Sequence, residues 1–270
     1  MTDRYLAAVV QIASGAERAR NLARIAELVG EAARRGARLA VLPEVVAWRG
    51  PREAEPAHVE PIPGPTSEAM AALARTHRLI LCAGSWLEEG PAPGRAFNTT
   101  CVFGPDGTLL ARYRKIHLFD VDIPGQVAVR ESETRSPGAD VVVVPTGLGT
   151  LGLSICYDLR FPELYRRLAH AGAELLLVPS AFTFPTGAAH WEVLLRARAI
   201  ENQCYVLAAN QTGRSPHGFA DYGNSLLVDP WGVVVARAGE GEGIAIAEID
   251  RERLRRVRRE LPSLANARLG

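Results

Sequence analysis

Three side chains in this 270-residue sequence stand where a reactive group would be useful. Cys156 follows Gly152-Leu153-Ser154-Ile155, which reads as a strand, and precedes Phe161-Pro162-Glu163-Leu164-Tyr165-Arg166-Arg167-Leu168, which opens like a helix. Its thiol therefore lies on a strand-to-helix turn. A helix N-terminus or a nearby cation lowers a thiol pKa, and the thiolate is the nucleophile. The alternative is a buried strand-end cysteine. Lys115, in Tyr113-Arg114-Lys115-Ile116-His117-Leu118-Phe119, is flanked by apolar side chains and is costly to bury without a partner. Glu44 lies at the C-terminal end of a strand, behind Leu42-Pro43, either as the matching anion or as a solvated loop carboxylate. Carboxylate and ammonium groups tuned by burial can do the acid and base work that a nucleophilic cysteine needs.

The other sulfur and imidazole groups read differently. Cys82, Cys101 and Cys204 sit inside apolar strands and read as core filler. The four cysteines show no CxxC spacing, which argues against a zinc site and against a disulfide framework in a reducing compartment. Six histidines could act as a base: His58, His77, His117, His170, His190 and His217. His117 alternates to the side opposite Lys115 in an extended segment. His190, beside Trp191, is expected to open a helix as a capping or packing residue.

These candidates are carried by a regular succession of elements. Leu6–Ile12 reads as a buried strand, Ala19–Ala33 as a helix stopped by Gly36, and Leu39–Leu42 as a strand ended by Pro43, which is a β-α-β unit. The phrase returns at Leu168–Glu174, Leu175–Val178 and Pro179. Two more segments recur at an offset of 125 residues: Leu79–Ala83 against Cys204–Ala208, and Gly104–Arg112 against Asp229–Arg237. The second pair are hairpins around a Pro-x-Gly turn. Two similar α/β halves follow, each a mixed sheet covered by helices on one face. Strands such as Val141–Val144 and Leu175–Val178 are apolar throughout, so the second face also needs cover. Sheet-on-sheet packing supplies it, as a four-layer α-β-β-α sandwich over residues 1–270 in a single domain. The rival is one three-layer, doubly wound sheet.

Composition narrows the function. Hydrophobic residues make up 47%, charged residues 23%, and 31 basic against 30 acidic groups leave a net charge of +1. Such a chain raises no broad field for nucleic acid or an anionic membrane. The apolar stretch Leu6–Val10 is too short for a signal or a membrane span, which leads to an expected cytoplasmic location. The run Arg251–Glu260 holds six arginines with Leu254, Val257 and Leu261 at amphipathic spacing, and reads as a solvated helix at the domain edge.

Taken together, Leu42-Pro43-Glu44, Tyr113–Phe119 and Ile155-Cys156-Tyr157-Asp158-Leu159-Arg160-Phe161-Pro162-Glu163 resemble, in order, the three catalytic motifs of the nitrilase superfamily of carbon–nitrogen hydrolases. The resemblance covers nearly the whole chain. It implies the α-β-β-α fold, homodimers or higher homo-oligomers, and no metal or organic cofactor. It makes Glu44 the general base, Lys115 the cation that stabilises the tetrahedral intermediate, and Cys156 the nucleophile. Glu131 matches the family's second glutamate, with Glu133 as a near rival and a surface reading open for both. The backbone of Tyr157 would complete the oxyanion hole, and Phe182 and Thr183 fall among the expected substrate contacts. Arg160 suits a substrate carboxylate, or else a salt bridge to Asp158 or Glu163. The stretches 120–125 and 187–201 look like the amidase branch that includes deaminated-glutathione amidase and omega-amidase. The expected reaction is hydrolysis of a small carboxylate-bearing amide to acid and ammonia through a thioester, on deaminated glutathione or a related ω-amide. Nitrile or N-carbamoyl hydrolysis and a non-catalytic scaffold are the alternatives. Whether residues 120–138 form a lid, and whether the short C-terminus carries a dimer arm, stay open.

Overall fold

A computed structural model describes residues 3–125, 127–215 and 218–268. The chain begins with strand β1 (Arg4–Gln11), helix α1 (Arg18–Arg34), strand β2 (Ala37–Val41) and helix α2 (Pro65–His77). Strands β3 (Ile80–Cys82), β4 (Trp86–Glu89), β5 (Ala96–Phe103) and β6 (Leu109–Arg114) complete the first half. A small hairpin of β7 (Asp120–Ile123) and β8 (Val127–Arg130) leads to β9 (Val143–Thr146), β10 (Gly149–Leu153), α3 (Pro162–His170), β11 (Leu175–Ser180), α4 (Phe184–Asn202) and β12 (Tyr205–Asn210). The hairpin of β13 (Thr212–Arg214) and β14 (Ala220–Tyr222), then β15 (Leu226–Val228), β16 (Val234–Arg237), β17 (Gly243–Asp250) and α5 (Arg251–Glu260) finish it.

The strand pairing shows the repeat. Strands β1, β2 and β3 run parallel, β3 pairs antiparallel with β5 and β5 with β6, and β17 closes the far edge antiparallel to β1. The second sheet repeats that order as β9, β10, β11, β12, β15 and β16. The recurring turns also match: the Gly104 N–H donates to Thr108 O at 2.8 Å, and the Asp229 N–H donates to Val233 O at 2.9 Å. Gly107 and Gly232 take φ of +83° and +86° there, a conformation that a side chain disfavours.

Period-two alternation distributes each strand between two cores. Val9, Leu39 and Val41 join a cluster with Leu175, Leu177 and Leu207 of the other sheet, whereas Ala40, Leu42 and Leu81 pack with Ile25, Leu28, Val29 and Met70 of α1 and α2. On the far side Leu176 and Val206 cluster with Leu164, Trp191 and Leu195 of α3 and α4. The layers are therefore helix, sheet, sheet, helix, and the three-layer alternative does not form.

Two expectations need adjustment. Helix α4 starts at Phe184, with Pro185 in its first turn, so His190 sits inside the helix rather than at its opening. Leu261 lies past the end of α5 and is 51% exposed, while Leu254 and Val257 are buried. The Asp250 carboxylate caps α5, accepting from the Glu252 and Arg253 N–H groups at 2.9 and 3.1 Å. Its arginines are used by the fold: Arg251 pairs with Glu174, Arg253 with Asp229, and Arg258 donates to Ala173 O. Among the described residues no helix is long and apolar enough to cross a membrane.

Candidate active site

The loops that leave the C-terminal ends of β2 and β10 bring the candidate residues together. Glu44 is 3% exposed, and its backbone is fixed by its own N–H donating to Ser180 O at 3.3 Å and by Gln211 Nε2 donating to Glu44 O at 2.9 Å. Lys115 follows β6 and is anchored by its N–H to Asn98 O at 2.9 Å. Its buried ammonium donates to Glu44 Oε1 and to Glu131 Oε2, both at 2.9 Å. Asn98 Nδ2 donates to the same Glu44 oxygen at 2.8 Å. Burial works against the charge on Lys115. The two carboxylates outweigh that cost and hold its pKa above the ordinary lysine value.

Glu131 and Glu133 part company in space. The Glu131 carboxylate accepts from Lys115 and from the Phe119 N–H at 2.7 Å. Glu133 instead pairs with Arg52 at 2.7 Å, and both of those side chains are about half exposed.

Cys156 opens a short 3-10 turn, Cys156–Arg160, at a φ of +45°, unusual for a residue with a side chain. Asp158, fully buried, braces that turn. Its Oδ2 accepts from the Ile155 N–H at 2.8 Å and from the Tyr113 hydroxyl at 2.6 Å, while Oδ1 faces the His117 N–H and Nδ1 at 3.0 and 2.7 Å. The segment bearing Lys115 and the turn bearing Cys156 are thus tied to one carboxylate. Burial, then the neighbouring Glu44 carboxylate, push the Cys156 thiol well above its ordinary value, against the opposing pull of Lys115. This reverses the expectation of a lowered thiol pKa: Lys115 acts as anticipated, but desolvation and Glu44 win. Both causes favour the protonated thiol over the thiolate.

A cavity of about 320 Å³ joins these groups, with Glu44, Lys115, Glu131 and Cys156 in its wall. The expected contacts Tyr157, Arg160, Phe182 and Thr183 line it as well. The Arg160 guanidinium lies over the Tyr157 and Phe182 rings, 5.7 and 5.4 Å from their centroids, and donates to His190 Nδ1 at 3.2 Å. The anticipated bridge to Asp158 is not what forms, because Asp158 is committed to the turn. The β7–β8 hairpin supplies a wall through Val127, Ala128 and Val129. Of the histidines, His117 faces Asp158 and stacks on Phe161, and His58 stacks on Trp48. His217 lies outside the described residues. Among the described residues no cluster of three or more His, Cys, Asp or Glu side chains is placed to hold a metal ion.

Sequence reasoning missed Asn98, Tyr113 and Asp158. Asn98 carried no separate signal, because Thr99 and Thr100 follow it in β5 and its partner Glu44 is 54 residues away. Asp158 lay within a quoted motif, but its partners are 41 and 45 residues away.

Comparison with known proteins gives consistent results. A model of the carbon-nitrogen hydrolase family matches residues 6–259. The chain is 48% identical over 268 residues to human deaminated glutathione amidase, covering 97% of this chain and 82% of that protein. It is 41% identical over 259 residues to an omega-amidase of Xenopus tropicalis, with 96% and 93% covered. A Saccharomyces cerevisiae member of the nitrilase superfamily matches with a TM-score of 0.87 at 35% identity, over 97% of this chain and 96% of that one. A variant of the amidase from Nesterenkonia sp. AN1, with acrylamide added to its active-site cysteine, matches with a TM-score of 0.77 at 26% identity, over 96% and 98%.

Proposed function

Since the chain belongs to the carbon–nitrogen hydrolase family, we propose that it is an amidase in which Cys156 attacks a small carboxylate-bearing amide and forms a thioester. The observation that carries this reading is the Lys115 ammonium, 2.9 Å from both Glu44 and Glu131, in the cavity wall that also holds Cys156.

The chemistry follows from the charges. The thiol is neutral at rest, so Glu44 removes its proton as sulfur approaches the carbonyl, and no free thiolate has to wait in a buried site. The carbonyl oxygen becomes an oxyanion beside Lys115 and the Tyr157 N–H, and one such donor is typically worth about 3 kcal/mol of barrier. Glu44 then protonates the departing nitrogen and afterwards takes a proton from the water that cleaves the thioester. Glu131 keeps Lys115 in position and charged. Arg160, held by His190 and two rings, offers its guanidinium to a substrate carboxylate, with Phe182 and Thr183 beside it.

Deaminated glutathione is the first substrate we assign, because the human amidase acting on it shares 48% identity with this chain. A primary ω-amide is the second, on the likeness to omega-amidase. The leaving groups differ: the primary amide loses ammonia, whereas deaminated glutathione holds only secondary amides, and the departing nitrogen carries a peptide fragment. The test is product release from deaminated glutathione and α-ketoglutaramate, with Cys156→Ala alongside. Release from either that vanishes in the variant supports the amidase, and a Cys156→Ala protein as active as wild type overturns it. The same reading carries a cytoplasmic location, consistent with four free cysteines, and a homodimer.

A further inference from the structure

A second cavity, of about 510 Å³, lies beside the catalytic one and shares Arg52, Glu55, Thr134 and Arg135 with it. The partition between them is the Arg135–Glu55 ion pair, 2.6 Å long and largely buried. Its position relative to the chemistry is set by the turn after β8: the Arg135 N–H donates to Glu131 O at 2.8 Å, and the Glu131 side chain holds Lys115. Arg160, Phe182 and Thr183 line the catalytic cavity but not the outer one, and Arg135 and Glu55 line both. An acyl group whose carboxylate lies on Arg160 therefore directs its amide nitrogen toward the partition. Ammonia needs no space there; a larger amine does, and about 510 Å³ is within the range of pockets that enclose small organic ligands.

The outer cavity also has a charge preference. Among the described residues, the Arg95 guanidinium donates only to neutral acceptors: Ser132 O at 2.7 Å, Glu133 O at 3.0 Å, Ser136 Oγ at 3.3 Å and Arg135 O. Its guanidinium lines the cavity and, among the described residues, forms no ion pair with a carboxylate, although Glu89 lines the same wall. Among the described residues, Arg52 pairs with the exposed Glu133 and donates to Arg130 O at 3.1 Å. We propose that this outer cavity is the leaving-group site for a secondary amide, taking a short peptide-like amine that ends in a carboxylate, with Arg95 reading that carboxylate. The inference rests on the amidase reading above. In the step it serves, the Cys156 Sγ–carbon bond forms, the carbon–nitrogen bond breaks, and the nitrogen leaves as a neutral amine with the proton delivered by Glu44.

The experiment compares two substrates with the same 2-oxoglutaryl acyl group joined to one dipeptide, ending either in a free carboxylate or in a carboxamide. The amine released is measured by chromatography, with α-ketoglutaramate as the primary-amide control. Wild type is expected to favour the carboxylate form by about tenfold or more in kcat/KM, chiefly through KM. In Arg95→Gln that ratio should fall to near one, and Arg95→Lys should restore part of it. The ratio is insensitive to a general loss of activity, and the wild-type comparison decides the matter even if the variant does not fold. A wild-type ratio near one, or a ratio unchanged in Arg95→Gln, overturns the proposal. Hydrolysis of the primary amide alone sinks the outer site while the amidase stands; no hydrolysis of any of the three sinks both.

Discussion

At the scale of residues, the site is organised by charges that cannot reach water. Lys115 is 1% exposed, and removing one partner from a buried ion pair costs about 3–5 kcal/mol because the remaining charge is left uncompensated. Glu131→Gln should therefore leave Lys115 leaning on Glu44 alone and tie up the base. The expected result is a fall in kcat of about a hundredfold or more with a smaller change in KM, read from steady-state kinetics on whichever amide is turned over. A change confined to KM would mean that Glu131 serves binding only. Asp158 makes a second case. The left-handed backbone at Cys156 costs roughly 1–3 kcal/mol and persists because the turn is braced from several sides. Asp158→Asn turns one acceptor oxygen into a donor that meets the Ile155 N–H or the Tyr113 hydroxyl, or the His117 N–H if the amide is reversed. It should lower the unfolding free energy by about 2–3 kcal/mol in urea titrations, and an unchanged midpoint would remove Asp158 from the framework. Glu44, Lys115 and Cys156 each carried only a weak local signal, a strand end or a turn, and became readable together through the resemblance of their three motifs to the carbon–nitrogen hydrolases. Asn98 and Asp158 did not, since what makes them matter is contact with chain 41 to 54 residues distant.

Among elements, what recurs locally was readable and what pairs at long range was not. The Pro-x-Gly hairpins and the apolar strands ended by proline carry their own signals, so the two halves emerged from a 125-residue offset. The pairing of β17 with β1 joins Arg4 to Asp250, and nothing in either strand announces the other. The same is true of the β7–β8 hairpin, whose half-exposed strands alternate weakly, although it walls the cavity. The strand layers bury thiols as well as aliphatic side chains, and this has a consequence in alkali. Burial pushes Cys82 in β3 and Cys204 just before β12 up to about 11, from 9.0 in the unfolded chain. Between those values the folded protein binds more protons than the unfolded one, so stability falls as pH rises. The contribution is complete below about pH 9 and lost through about pH 11, roughly 2–3 kcal/mol for each thiol. Urea midpoints followed from pH 8 to 10.5 should fall more steeply in wild type than in a Cys82→Ala, Cys204→Ala double variant. Parallel curves would show that the thiols ionise without cost.

At the scale of the molecule, stacking two sheets hides the inner faces and leaves the two helical layers as outer surfaces. The α3–α4 layer does not finish its own covering. Val193 and Ile200, seven residues apart on α4, are 66% and 48% exposed. Trp231 and Val233, at the turn between β15 and β16, are 54% and 48% exposed, and Gly232 of that turn meets Ile200 while its carbonyl accepts from Arg196 Nε at 2.8 Å. Exposed apolar side chains gathered in this way favour a partner, and a two-fold axis through them lets the same patch serve both subunits. The expected homodimer is assigned to this face, on the layer whose inner side packs behind the Cys156 turn. Val193→Asp together with Ile200→Glu changes two solvent-facing positions and leaves the core intact, so the variant should fold. Light scattering coupled to gel filtration should give twice the 29.1 kDa chain mass for wild type and the single mass for the double variant. A variant that stays dimeric moves the interface elsewhere, and a wild type that is monomeric at micromolar concentration removes it. Because α4 also carries His190, the acceptor for Arg160, dissociation should further raise KM for carboxylate-bearing amides when the subunit contact holds that helix in place.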